Sequence, residues 1–372
     1  MSKVALIRCE SYDDAYAAIK KGIDLLGGIK KFIKKEDNIL LKPNLLRAKE
    51  ENYAVTTNSN VFHAVAKILA EEGYKNVSYG DSPGVGSALN VAKLCEIDKR
   101  AKELNIPLKE FNKSKSIFLK DNSYAKEFQM AVPVLECDSL INLPKMKAHQ
   151  LTRITGATKN LLGCISGFNK GASHVKYPSS LDFSKMLVDL MLTVKPKLNI
   201  LDGVVAMEGN GPASGTPKKM NVIIISDDPI AVDYCFAKIV DLNTEYVHVI
   251  NYAKEIGIFN EDELEIVGDD IDSFVDKTFD VERRKDKKDV WWGSMAWFKP
   301  FVTKKPYVRQ RKCIKCKKCI EACPVEGKAI AFKGNRISYN YNKCIRCYCC
   351  QEMCPKGAIA VKTPIINKIL SK

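Results

Sequence analysis

The chain has 372 residues, of which 46% are hydrophobic and 28% charged, and its net charge is +15. This is an ordinary globular composition with room for one large domain and a small one, and it excludes a disordered or fibrous chain. No apolar stretch approaches the ~18 residues of a membrane span, and the opening Met1–Glu10 lacks a signal-peptide core and turns acidic at once, so a cytoplasmic protein is expected.

Residues 1–280 alternate short apolar runs with helical patterns, which predicts βαβ units and a mostly parallel sheet with helices on both faces. In chain order, residues 38–43 read as a strand and 61–72 as a helix with Asn60 as its cap. A strand is expected over 76–80, a helix over 87–100, a strand over 138–143 and a helix over 183–194. Strands follow over 197–201 and 221–225, then a helix over 229–240 that opens on Pro229, a residue suited to a first turn. Residues 281–304 read as a linker. It contains a charge run, Glu282–Asp289, and the Trp-rich segment 291–298, where packing between domains is the reading preferred over a membrane-interface anchor. A small α+β ferredoxin-like module is expected over 305–364, and 365–372 form a tail.

The module is defined by its cysteines. Cys313, Cys316, Cys319 and Cys323-Pro324 repeat in spacing as Cys344, Cys347, Cys350 and Cys354-Pro355. This is the run that holds 4Fe-4S clusters in bacterial two-cluster ferredoxins, where the fourth cysteine of each run serves the other cluster. One cluster would therefore take Cys313, Cys316, Cys319 and Cys354, and the other Cys344, Cys347, Cys350 and Cys323. Zinc is the competing reading, but it needs only two C-x-x-C pairs, set farther apart. Cys349 falls outside the spacing and reads as a small buried thiol. Fourteen cysteines in an unexported chain point to redox use in a reducing compartment, as in an anaerobe.

Charge concentrates on the same module. Residues 301–372 carry 17 Lys or Arg against three acids, Glu321, Glu326 and Glu352, and so hold +14 of the +15. Such a surface suits nucleic acid, an anionic membrane or an acidic protein. No nucleic-acid fold motif accompanies it, and for a redox module an acidic electron-transfer partner of ferredoxin or flavodoxin type fits best.

In the large domain, polar and glycine-rich segments each follow an expected strand. They contribute Lys42 and Asn44, then Asp81 and Ser82, then Lys145, Lys147 and His149, then Asp202, Glu208 and Asn210. Loops at the carboxyl ends of strands in an open α/β sheet converge on a ligand site. Residues 145–176 are basic, and the Thr155-Gly-Ala-Thr-Lys159-Asn160 turn into a short helix reads as an anion site. A bound carboxylate or phosphate is expected there, with His149, His174 and Lys159 as candidate catalytic groups. Cys164 reads as an inert buried thiol. No P-loop or complete dinucleotide fingerprint is present.

The segments Leu41-Lys-Pro-Asn-Leu45, Gly80-Asp-Ser-Pro-Gly84, Leu143-Pro-Lys-Met-Lys-Ala-His149, Thr155-Gly-Ala-Thr-Lys-Asn160, Leu201-Asp-Gly203 and Glu208-Gly-Asn-Gly-Pro212 together resemble the domain of unknown function 362 family. That resemblance implies a redox-linked protein with a C-terminal 4Fe-4S module, and it implies no substrate. The expected function is a ferredoxin-linked iron–sulfur oxidoreductase acting on an anionic ligand. The alternative is a non-catalytic electron carrier or assembly factor that docks a partner protein.

Overall fold

The computed structural model describes residues 2–167, 169–284 and 304–362. The Trp-rich segment and the C-terminal tail lie outside the described residues, and so does most of the charge run. The strands are β1 Lys3–Arg8, β2 Ile39–Pro43, β3 Val77–Tyr79, β4 Ser114–Phe118, β5 Glu127–Ala131, β6 Ser139–Leu143, β7 Lys145–His149, β8 Arg153–Thr155, β9 Leu198–Glu208, β10 Thr216–Ser226 and β11 Glu265–Gly268. The second unit supplies β12 Lys305–Val308, β13 Ile330–Lys333, β14 Arg336–Tyr339 and β15 Ile359–Lys362. The helices are α1 Ala15–Leu25, α2 Ser59–Glu71, α3 Ala88–Leu94, α4 Ile97–Glu103, α5 Val132–Glu136, α6 Ala157–Asn160, α7 Asn169–Lys176, α8 Ser180–Val194, α9 Pro229–Ile239, α10 His248–Glu255, α11 Lys318–Glu321 and α12 Cys349–Glu352.

The main sheet runs β11-β1-β10-β9-β6-β2-β3, with β7 joined to β9 and β8 to β7. Most pairs are parallel; β10 lies antiparallel to both neighbours, and β8 antiparallel to β7. Successive strand residues face opposite sides, which sorts the apolar runs into two cores. Ala5, Ile7, Ile39, Leu41, Ile223 and Ile225 pack under α1 and α2, whereas Val4, Leu6, Leu40 and Ile224 pack under α8 and α9. Gly22 of α1 lies so close to the sheet that a Cβ would stand 2.7 Å from Ile225 Cδ1. The α/β architecture with both faces covered is as the patterning predicts. In the small unit, β12 pairs with β15 and β13 with β14, all antiparallel, beside α11 and α12.

Several local expectations are corrected. The cap of α2 is Asn58, whose side chain accepts from the Asn60 N–H. Residues 87–100 form two helices, because Glu96 adopts a left-handed conformation between them. Residues 145–149 are strand β7 rather than a loop, and every one of them is buried. Asp202 and Gly203 lie inside β9, which extends far beyond its expected end. The β1 strand, the α1 helix and the β4–β5 hairpin had no counterpart in the sequence reading.

Removing the α2 cap by Asn58→Ala is expected to lower unfolding stability by about 1 kcal/mol. Urea denaturation would measure it, and an unchanged midpoint would contradict the capping role.

Candidate functional site

The strand-end residues are brought together, and most of their charges are answered internally. Lys42 Nζ at the end of β2 lies 2.9 Å from Asp81 Oδ1, both groups buried. Asp81 also accepts from the N–H groups of Leu45 and Ser82. Gly163 must be glycine here, because a Cβ would stand 2.0 Å from Asp81 Oδ1. Lys145 Nζ donates to Asp202 Oδ2 and to Tyr12 Oη, each at 2.7 Å. Burial lowers the Lys145 pKa, and the Asp202 charge opposes that.

Lys147 has no carboxylate in contact among the described residues. Its Nζ donates to Asn44 Oδ1 at 2.6 Å and to the Val55 carbonyl at 2.8 Å. Burial, then the charges of Lys159 and Lys145, push its pKa well down. From half-buried Asn44 a relay of amides crosses the sheet. Asn44 donates to Asn160, Asn160 to Asn142, Asn142 to Asn199, and Asn199 to the Ser226 carbonyl. Asn142 and Asn199 escaped the sequence reading; the signal was a lone amide inside each apolar strand run.

The turn into α6 is not the open anion site expected from its sequence. Asp233 Oδ1 and Oδ2 accept from the Ala157 and Thr158 N–H groups. Burial raises the Asp233 carboxyl to about 6. Thr155 sits in β8 opposite Lys147. Ser82 accepts from Lys170 Nζ at 2.8 Å, and burial lowers the Lys170 pKa to about 8. Cys164 is buried, with its thiol pushed up to about 12, which suits an inert thiol. Glu208 is drawn away to Lys218 and the Asp280 N–H.

The two histidines meet a carboxylate from the other unit. His149 Nδ1 accepts from the Leu151 and Thr152 N–H groups, so its proton sits on Nε2. That Nε2–H donates to Glu352 Oε1 at 3.0 Å. Burial lowers the His149 pKa to about 4 and keeps the ring neutral. Burial alone would raise the Glu352 carboxyl, but the His149 hydrogen bond and the Lys159 charge outweigh it and hold it at about 2. His174 is buried and stacked on Phe183, with ring centroids 4.4 Å apart. Burial likewise lowers its pKa to about 4, and its Nδ1 has no hydrogen-bond partner among the described residues. Lys159, half-buried, feels Glu352, His149 and His174 but forms no ion pair with a described residue.

The contact between units extends beyond Glu352. Arg47 Nη1 donates to the Glu352 and Cys354 carbonyls. Gln351 Nε2 donates to the Asn210 and Gly211 carbonyls, and Asn210 donates to the Ile359 carbonyl. Asn210 thus belongs to this contact. Met353 lies against Gly84, where a Cβ would stand 2.7 Å from its Cε.

The cysteines fit iron–sulfur clusters. Cys313, Cys316, Cys319 and Cys354 line one concavity, with Lys315, Lys317 and Lys356 on its wall. Burial and these neighbouring thiols push the Cys319 pKa up to about 11; iron would supply the positive charge that lets such thiolates coexist. Cys344 is raised by burial and by the nearby Cys347 and Cys323. Tyr339 Oη lies 3.2 Å from Cys350 Sγ, and the Ala358 N–H donates to Cys354 Sγ at 3.1 Å. Among the described residues no three His, Cys, Asp or Glu groups close on a single-ion site. A cubane holds its thiolates farther apart than zinc, whose ~2.3 Å bonds bring sulfurs to about 3.8 Å of one another.

Two outcomes test this arrangement. Asp202→Ala leaves Lys145 buried without its carboxylate and is expected to cost about 3–5 kcal/mol in denaturation; a cost near zero would contradict the pairing. His149 and His174 have folded values near 4 against the ordinary 6.5, so the unfolded chain binds protons first as pH falls. Their contribution is present above about 6.5 and is lost toward pH 4, at about 1.4 kcal/mol per pH unit for each histidine. Asp233 runs oppositely, favouring the fold at low pH. His174→Asn should flatten the stability slope between these values by about one proton, measured by denaturation at several pH values; an unchanged slope would contradict its buried neutral state.

A family model described as a domain of unknown function (DUF362) matches residues 39–238, and a model for a 4Fe-4S dicluster domain matches residues 305–355. The chain is similar to a thylakoid-associated protein of Synechocystis sp., 32% identical over 261 residues, covering 69% of this chain and 80% of that protein. Two solved structures share part of the backbone. One is the lactate racemase apoprotein from Thermoanaerobacterium thermosaccharolyticum, with TM-score 0.44 and 9% identity, covering 62% of this chain and 54% of that one. The other is a Thermotoga maritima protein, with TM-score 0.40 and 11% identity, covering 67% and 60%. The chain therefore spans little more than half of each of these two structures. It belongs to the DUF362 family and carries a 4Fe-4S ferredoxin-type domain of the kind used for iron–sulfur electron transfer.

Proposed function

We propose that the chain is a ferredoxin-linked oxidoreductase of the reducing cytoplasm, with two 4Fe-4S clusters and an anion site in its large domain. The clusters would be held by the crossed cysteine sets, Cys313, Cys316, Cys319 and Cys354, and Cys344, Cys347, Cys350 and Cys323. When bound, they supply one-electron transfer.

The observation that carries it is the unbalanced charge beside Glu352. Lys42 and Lys145 each have a carboxylate, Asp81 and Asp202. Lys147 is answered by the Asn44 amide oxygen and the Val55 carbonyl with its pKa pushed well down, and Lys170 by the Ser82 and Pro83 oxygens and the Asp81 charge, whereas Lys159 forms no ion pair with a described residue and acts on Glu352. Positive charge in low dielectric is costly unless paired, so the surplus favours a small carboxylate or phosphate at Lys159. His174 Nδ1 would meet that ligand as a neutral imidazole, able to hydrogen-bond it or to carry a proton. The helix bearing Cys350 ends at Glu352 on this site, so the thiolates and the ligand would share one buried neighbourhood.

A second reading is favoured by the same contacts. Glu352 already occupies His149, and the basic residues could exist to seat the cluster module alone. The chain would then be a carrier or assembly factor with no ligand of its own.

Calorimetry on the anaerobically loaded full chain separates the two, with acetate and inorganic phosphate as probes. The oxidoreductase reading expects binding of at least one probe, weakened about tenfold or more by Lys159→Ala, since a charge-assisted hydrogen bond contributes about 1.5–3 kcal/mol. Absence of binding, or equal binding by Lys159→Ala, would favour the carrier.

A further inference from the structure

The two cysteine runs are copies, so their positions can be compared one by one. Lys317, Lys318, Ile320 and Glu321 in the first correspond to Tyr348, Cys349, Gln351 and Glu352 in the second. In the second copy all four are buried. Tyr348 joins the large domain's apolar core, Gln351 donates to the Asn210 and Gly211 carbonyls, and Glu352 accepts from His149. The large domain therefore covers one face of a duplicated unit.

The equivalent face of the first copy is uncovered among the described residues. Lys317, Lys318 and Glu321 are exposed there, and Ile320 is half-buried. Ile314, 56% exposed, is an apolar point on a basic surface. Cys316 is the one exposed cysteine of the fourteen, and no acid occurs between Lys304 and Ile320. Where the second copy has exchanged both lysines for Tyr348 and Cys349 to fit an intramolecular partner, the first keeps its charge.

We propose that this face, around Cys316 and Ile314 with Lys317 and Lys318, is the docking surface for a small acidic electron-carrier protein. Electrons enter at the Cys313, Cys316, Cys319 and Cys354 set, and the Cys344, Cys347, Cys350 and Cys323 set faces inward. Each event moves one electron: the reduced carrier loses it, the iron–sulfur module gains it, and no bond or proton changes place. Charge complementarity supplies the steering, and the exposed isoleucine supplies an apolar contact at the centre of the patch. The inference rests on the electron-transfer reading above and not on the anion site.

The test is stopped-flow reduction of the anaerobically loaded full chain by reduced flavodoxin, an acidic protein. The wild-type rate should fall about tenfold or more from low to high salt. Lys317→Glu with Lys318→Glu should slow it at low salt by a similar factor. Lys34→Glu with Lys35→Glu, the same charge change just before β2 at the opposite sheet edge, should leave it within about twofold. Reduced methyl viologen, which needs no docking face, should reduce all of them without slowing. If Lys317→Glu with Lys318→Glu impairs iron loading, Arg309→Glu with Arg311→Glu tests the same patch from outside the cysteine run. A salt-independent wild-type rate overturns the proposal, as does equal slowing by the two charge-reversal pairs or a wild-type rate in both patch variants. The assay reads electron arrival, so its failure is distinct from a failure of the anion site, which calorimetry reports.

Discussion

The arrangement depends on one buried carboxylate. Glu352 is one of three acids in residues 301–372, which hold +14 of the chain's charge, and it is placed against His149 and within the field of Lys159. Neutral His149 donates to it, and Lys159 holds it ionised. A carboxylate withdrawn from water at this depth would be destabilising by itself; the surrounding cations and the Nε2–H make it a specific contact. Because Glu352 closes the helix that carries Cys349 and Cys350, the same contact fixes a cluster-binding run against the carboxyl edge of the sheet.

The large domain makes that edge with paired charges. Lys42 with Asp81 and Lys145 with Asp202 are buried ion pairs, and such pairs specify geometry more than they stabilise. The amide relay from Asn44 to Asn199 locks β2, β6 and β9 together behind them. Among the described residues Lys159 forms no ion pair and the Nδ1 of His174 has no hydrogen-bond partner, and both groups act on Glu352.

Much of the fold was legible because it follows local rules. The apolar runs at 38–43 and 221–225 were legible as strands, and in the structure their side chains alternate between the cores, Leu40 and Ile224 in one and Ile39 and Ile225 in the other. The cysteine spacing was legible because cluster ligation is a local geometric demand. The site was less so. Lys-Met-Lys-Ala-His reads as a ligand-binding loop at a strand end, yet it is a buried strand, because the partners of its charges lie far away in sequence: Asp202 is 57 positions from Lys145, and Glu352 is 203 positions from His149. No local pattern announces a neutralising group at that distance. The turn into α6 misled for the same reason, since Asp233 takes its amides from another helix. Arg47, Gln351 and Tyr12 were missed because their importance lies in contacts between segments, which composition and periodicity do not carry.

The most direct test of the seating contact is amide hydrogen exchange on the anaerobically loaded chain and its Glu352→Ala variant. Loss of the carboxylate should release His149, and with it the Leu151 and Thr152 amides that its ring holds, together with the segment around Asn210. Faster exchange at these positions, with the β1 and β10 amides unchanged, is the predicted result. Exchange at Leu151, Thr152 and Asn210 identical to that of the wild-type chain would contradict the account.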